Sequence, residues 1–130
     1  MANITAVVQK ILCGRNFIDV KNAEEVLKKI IEEEEIKIEF WPMADASGIF
    51  WYGPSQKQPI ITVNPLKEKQ EQIFTLAHGL GHYFLEHKRQ FCCVNQKQIS
   101  LAEDQADIFA AVLLNSIEEV LATRQAEISA

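Results

Sequence analysis

A chain of 130 residues carries one modest core, so residues 1–130 read as a single domain. Apolar residues make up 48% and charged residues 24%, which excludes a disordered chain. A net charge of −5, with Lys and Arg scattered, excludes sequence-independent binding to nucleic-acid phosphates.

The elements follow in chain order. Ile4, Val7, Val8, Ile11 and Leu12 recur at helical spacing, predicting an amphipathic helix over 3–13 that ends near Gly14. Asn22 followed by Glu25 has the form of a capping box, opening a helix whose apolar face carries Val26, Leu27, Ile30 and Ile31. Glu32 to Glu35, at the end of that helix, is the one charge run and reads as a solvated face. The period then changes. Ile36, Ile38 and Phe40 alternate with Lys37 and Glu39, the pattern of a half-buried strand stopping at Pro42.

Two more short strands follow, Ile49–Tyr52 and Ile60–Val63, the second stopped by Asn64-Pro65. Three strands with short connections suggest a small antiparallel meander. From Leu66 to about His87 the chain reads as a long helix, with Ile73, Leu76, Ala77, Leu80 and Phe84 at core spacing. After a polar linker, Ser100 opens an apolar helix through Leu114, and residues 116–125 form a last helix or its continuation. Strands and helices segregate along the chain, so the fold class is α+β.

Three cysteines, Cys13, Cys92 and Cys93, make no disulfide framework, and no signal-peptide pattern is present. Both point to the reducing cytoplasm. No apolar run has the length of a membrane span.

The chemistry concentrates in Thr75-Leu76-Ala77-His78-Gly79-Leu80-Gly81-His82-Tyr83. Residues four apart share a helix face, so His78 and His82 can offer two imidazole nitrogens to one ion. A hydrolytic zinc site needs three protein ligands and an open position. In the H-E-x-x-H form of this motif, the Glu beside the first His takes a proton from the attacking water. Here that position is Gly79. A histidine pair alone is more often a pair of surface or core residues than a metal site. Each glycine inside a helix costs about 1 kcal/mol relative to Ala. Gly81 therefore calls for a close approach by another element, whereas Gly79 shows no such reason in the sequence.

Glu103, in Glu103-Asp104-Gln105-Ala106-Asp107, is the best candidate for a third ligand, provided the next helix returns antiparallel. Asp107, one turn on, is placed to accept the other ring N–H of a ligating histidine. Ser100 to Glu103 equally fits a capping box in which Glu103 only closes its own helix. Cys92 and Cys93 are rival thiolate ligands or small buried side chains, and Glu86 and His87 read as an exposed helix end.

Phe74-Thr75-Leu76-Ala77-His78, with His82 and Tyr83, resembles the signature helix of the ImmA/IrrE family of metallopeptidases. Glu103-x-x-Ala106-Asp107-x-Phe109-Ala110-Ala111-x-Leu113-Leu114 resembles that family's second motif, and Val63-Asn64 sits where its strand leads into the zinc helix. The resemblance spans roughly residues 30–115. It implies a zincin-like fold with an antiparallel sheet and a metal between two helices, Zn²⁺ held by His78, His82 and Glu103, and Asp107 behind them. It also implies a protein partner or substrate, such as a DNA-binding repressor. No helix-turn-helix is evident in this chain, so such a regulator would be a separate protein. No direct nucleic-acid or membrane contact is expected.

The chain departs from the family in two places. Asn115-Ser116 stands where Met-Pro commonly follows, and Gly79 stands at the base position. General acid–base assistance contributes about 10²–10⁴-fold in rate, so its loss implies impaired catalysis without loss of the metal. The alternatives are an active zinc endopeptidase that uses another base or carries an introduced change at position 79, and a metal-free protein-interaction domain.

Overall fold

The computed structural model describes residues 3–86 and 96–129. Helix α1 (Ile4–Cys13) begins at Asn3, whose Oδ1 accepts the Ala6 N–H at 3.1 Å. Helix α2 (Ala23–Glu33) begins at Asn22, whose Oδ1 accepts the Glu25 N–H at 2.9 Å. Glu25 returns the contact one residue further out, accepting the Lys21 N–H at 3.0 Å. These caps satisfy donors that a helix start leaves orphaned. Glu35 ends α2 in the left-handed region (φ 58°), letting the Ile36 N–H reach back to the Ile31 carbonyl at 3.0 Å.

Three short strands follow: β1 (Lys37–Phe40), β2 (Gly48–Tyr52) and β3 (Pro59–Val63). The α+β class holds, but the expected antiparallel meander is corrected to a mixed sheet of order β1-β3-β2. Strand β3 runs parallel to β1 (Lys37↔Ile60 through Phe40↔Val63) and antiparallel to β2 (Gly48↔Val63 through Tyr52↔Pro59). The reason is burial. Ile60, Ile61, Thr62 and Val63 are all buried, so β3 belongs in the middle, while β1 has no fully buried residue and β2 buries only Phe50.

The connection from β1 to β2 must then pass over the end of β3, and Asn64 holds it there. This fully buried side chain donates from Nδ2 to the carbonyls of Met43 and Ala46, both at 2.9 Å. Its backbone N–H reaches the Ser47 carbonyl at 2.9 Å, and its Oδ1 accepts the Leu66 N–H at 3.0 Å.

Helix α3 (Lys69–Phe84) crosses the sheet, and α4 (Gln96–Ser129) packs along it. Helix α4 is one continuous helix of 34 residues, so residues 116–125 are its continuation. It starts upstream of Ser100, which therefore does not open it. The core lies where α3 meets the sheet and α4 packs on α1, α2 and α3, with Leu27, Ile30, Ile61, Leu80, Phe109 and Leu113 fully buried. Each such side chain contributes about 1.5–3 kcal/mol by leaving water.

Polar anchors tie the periphery to this core. Arg15 bonds Glu33 and Glu34, each at 2.7 Å, and the Tyr83 hydroxyl donates to Glu34 at 2.8 Å. The acidic run is thus more than a solvated face. Arg124 of α4 caps the carbonyls of Phe17, Ile18 and Val20 between α1 and α2. No helix among the described residues is long and apolar enough to cross a membrane.

Candidate metal centre

Gly81 sets the distance between α3 and α4. A Cβ there would meet Ala106 Cα and Phe109 Cβ at 3.1 Å and the Ala106 carbonyl at 3.2 Å, so the backbone of α4 lies directly on it. This is the close approach that the sequence called for. Ala106 is flanked on its helix by Glu103 one turn before and Asp107 one residue after. The contact that seats Ala106 on Gly81 therefore delivers both carboxylates to the histidine face of α3.

The result is a convergent cluster. His82 Nε2 lies 2.9 Å from Glu103 Oε1, and His78 Nε2 lies 3.0 Å from Glu103 Oε2. The two Nε2 atoms are 3.1 Å apart. His78 Nδ1 faces Asp107 Oδ1 at 2.8 Å. Asp107 thus accepts the Nδ1–H and turns the Nε2 of His78 toward Glu103 and His82, the arrangement that orients a ligating imidazole. His82 is buried, and its ring stacks on Phe50 of β2 with centroids 5.9 Å apart and planes within 15°. His78 and Glu103 are half-buried, so the cluster opens to solvent on one side.

Charge agrees with geometry. Burial disfavours the charged form of His78, but hydrogen bonding and charge from Glu103, and then Asp107, outweigh it and raise its pKa. Hydrogen bonds from His78 and His82 hold the Glu103 carboxyl far below the usual carboxylate range. Two imidazole nitrogens and a carboxylate aimed at one point are held together by ring N–H protons or by a metal ion. The ligand atoms of His78, His82 and Glu103 all lie within 4.8 Å of one another, the one such group of three among the described residues. Ligands held tetrahedrally at about 2.0–2.1 Å from one ion stand about 3.3 Å apart, close to the separations found here. The donor set fits a divalent metal ion.

The structure brings together the four residues singled out in the sequence, with His78 and His82 on one face, Glu103 against both and Asp107 on the Nδ1 side of His78. The capping-box alternative for Glu103 falls, because α4 begins at Gln96 and the carboxylate turns to the histidines. Glu86 sits beyond the end of α3, exposed, with a left-handed backbone (φ 61°). Cys92, Cys93 and His87 lie outside the described residues. Two contributors went unread. Phe50 packs His82, and its only signal in the sequence is its place in a short aromatic strand. Asn64 organises the crossover, and in the sequence it looked like a mere strand stop.

An α+β fold in which an i, i+4 histidine pair meets a carboxylate from the next helix defines the zincin-like metallopeptidase class. The profile of the IrrE N-terminal-like domain matches residues 31–127, and the chain belongs to this ImmA/IrrE family of metallopeptidases. It is similar to Metallopeptidase ImmA of Bacillus subtilis (strain 168), with 37% identity over 76 residues, 55% of this chain. The matched stretch is 43% of that relative, so the chain spans less than half of its length.

Proposed function

We propose that this chain is a zinc-binding, catalytically impaired member of its family that acts in the cytoplasm by binding a protein regulator, such as a DNA-binding repressor. One observation carries the reading. His78, His82 and Glu103 converge on one point with Asp107 against His78 Nδ1, while Gly79, beside His78, offers no side-chain group that can accept a proton. His78, His82 and Glu103 would hold the ion, and Asp107 would fix the tautomer of His78. Imidazole and carboxylate donors suit zinc, which when bound supplies a Lewis acid able to polarise a peptide carbonyl.

The residues of the chain divide the work. Glu103 neutralises charge at the centre, Phe50 shields the His82 ring, and the half-buried side leaves access for a polypeptide. Without a base the site binds but turns over slowly, since positioned acid–base groups contribute about 10²–10⁴-fold.

Protein purified without added zinc is expected to hold one equivalent by metal analysis and to lose it on His82→Ala. Peptide cleavage by the unaltered chain is expected to be feeble, with a repressor substrate bound but left intact. Zinc-free protein overturns the metal reading. Cleavage at the rate of an intact zincin overturns the impairment.

A further inference from the structure

Glu71, Thr75 and His82 of α3 follow one another at spacings of four and seven residues, which keeps them within about 40° around the helix. Strand β2 runs along this stripe and meets it in the same order. The Ser47 hydroxyl, just before the strand, donates to the Glu71 carboxylate, Gly48 lies against Thr75, and the Phe50 ring stacks on His82. Alternate strand residues share a face, so positions 48 and 50 both face α3.

Gly48 makes the tightest of these approaches. A Cβ there would run into the carbonyl oxygen of Thr62 and the Cγ2 of Thr75. Neither neighbour can step aside. The Thr62 carbonyl is backbone of the central strand. The Thr75 hydroxyl donates to the Glu71 carbonyl at 2.9 Å, which fixes a side chain already stiff at χ1 and keeps its methyl group against Gly48. Having no side chain at 48 is what lets the start of β2 seat on α3.

Phe50, two residues on, meets the His82 ring with centroids 5.9 Å apart and planes within 15°. It is itself buried, in register with Ile61, and braced edge-on by Tyr52 with centroids 5.4 Å apart. Turning the imidazole about its bond to Cβ would swing it out of that plane. It would also take Nε2 away from Glu103 Oε1, which it faces at 2.9 Å.

We infer that β2 sets the imidazole of His82, as Asp107 sets that of His78: Gly48 seats the strand on α3, and Phe50 holds the ring plane that aims Nε2 at Glu103. The inference rests on the reading of His82 as a metal ligand. Gly48 and Phe50 are positioning residues, and neither offers a side-chain atom to an ion.

Cobalt(II) titrated into metal-free protein tests this, because its visible absorption bands report the geometry of its ligands. The unaltered chain is expected to bind it with a defined spectrum. Phe50→Leu keeps an apolar side chain but removes the ring plane. It should weaken cobalt binding by about 10-fold, the low end of what losing an outer partner of a ligand costs, and alter the bands. Gly48→Ala, which touches no candidate ligand, should move affinity and bands in the same direction. Val8→Ala truncates a fully buried side chain in α1, so it destabilises the fold but should leave both unchanged. Affinity and bands unmoved in Phe50→Leu, or moved as far in Val8→Ala, overturn the inference. Should Gly48→Ala fail to fold, Phe50→Leu decides alone.

The proton resonances of the His82 ring supply a second arm that needs no metal. The ring current of Phe50 displaces them in the unaltered chain. Gly48→Ala should return them toward ordinary positions although Phe50 is still present. Resonances unmoved by Gly48→Ala overturn the seating of the strand, and the inference with it. A chain that takes up no cobalt removes the metal-binding reading instead, and the ring resonances still decide whether β2 holds His82.

Discussion

Gly81 of α3 lies directly on Ala106 of α4, and this one backbone contact brings Glu103 and Asp107 to the histidines. A methyl group at 81 would stand 3.1 Å from the Ala106 Cα and 3.2 Å from its carbonyl, atoms that cannot rotate away. Alanine is worth about 1 kcal/mol more than glycine in a helix interior, yet Gly81→Ala should destabilise the protein, because the helices must part. Metal affinity should fall with it, since the carboxylates ride on the displaced helix. Thermal unfolding and a competitive zinc titration check both. An unchanged or raised melting temperature refutes the contact.

Asp107 does not point its carboxylate at the point where the ligand atoms converge, so its part is testable apart from theirs. It holds the Nδ1 side of His78 at 2.8 Å. Asp107→Ala should weaken zinc binding by about 10–100-fold, the usual effect of losing an outer partner of a ligating histidine. Glu103→Ala, which removes a proposed ligand, should cost more. Equal losses in the two variants would place Asp107 among the ligands instead.

Much of this centre was legible in the sequence because helical spacing is rigid. Four residues separate His78 from His82 and also Glu103 from Asp107, so each pair shares a face once the helices form. Strand order is another matter. Pairing is a long-range property that no local pattern in β1 encodes, and consecutive strands suggested a meander. The clue was Ile60-Ile61-Thr62-Val63, β-branched throughout and uncharged, which suits a strand buried on both faces. The start of α4 misled for a different reason: Ser100-x-x-Glu103 has the form of a cap, but a longer helix overrides it and Glu103 finds stronger partners in two imidazoles.

Asn64 gives a prediction about the fold alone. Its side chain is fully buried and bonds the carbonyls of Met43 and Ala46 and the Leu66 N–H. Asn64→Ala strands these groups at the end of β3, at a cost of about 1–3 kcal/mol for each that water cannot reach. Denaturant unfolding should show a clear loss of stability. Asn64→Asp keeps the acceptor but loses the Nδ2 donor, so it should recover little. Full recovery by aspartate would mean that the crossover is held by Oδ1 alone.

Tyr83, next to His82, ties the end of α3 to α2. Its hydroxyl donates to Glu34 at 2.8 Å, and Glu34 is in turn paired with Arg15 at 2.7 Å. Burial first, and then the hydrogen bond to Glu34, push the Tyr83 hydroxyl up to about 12. Burial works against the Glu34 carboxylate, but hydrogen bonds from Arg15 and Tyr83 prevail and hold its pKa below the ordinary value. The two ends of the pH scale follow. A tyrosine normally ionises near 10, so the stabilisation tied to Tyr83 is complete below about 10 and vanishes as pH rises through about 12. A glutamate normally ionises near about 4.3, so the part tied to Glu34 is complete above that and vanishes as pH falls through its lowered value. Absorbance at a wavelength selective for tyrosinate should show ionisation well above the usual range, with circular dichroism reporting that the fold persists. In Glu34→Gln the carboxylate that opposes ionisation is gone, and the Tyr83 midpoint should fall. Tyr52, raised by its own burial and by Glu86, should titrate as before. A Tyr83 midpoint unmoved by Glu34→Gln would show that burial alone sets it and that α3 is anchored to α2 by some other contact.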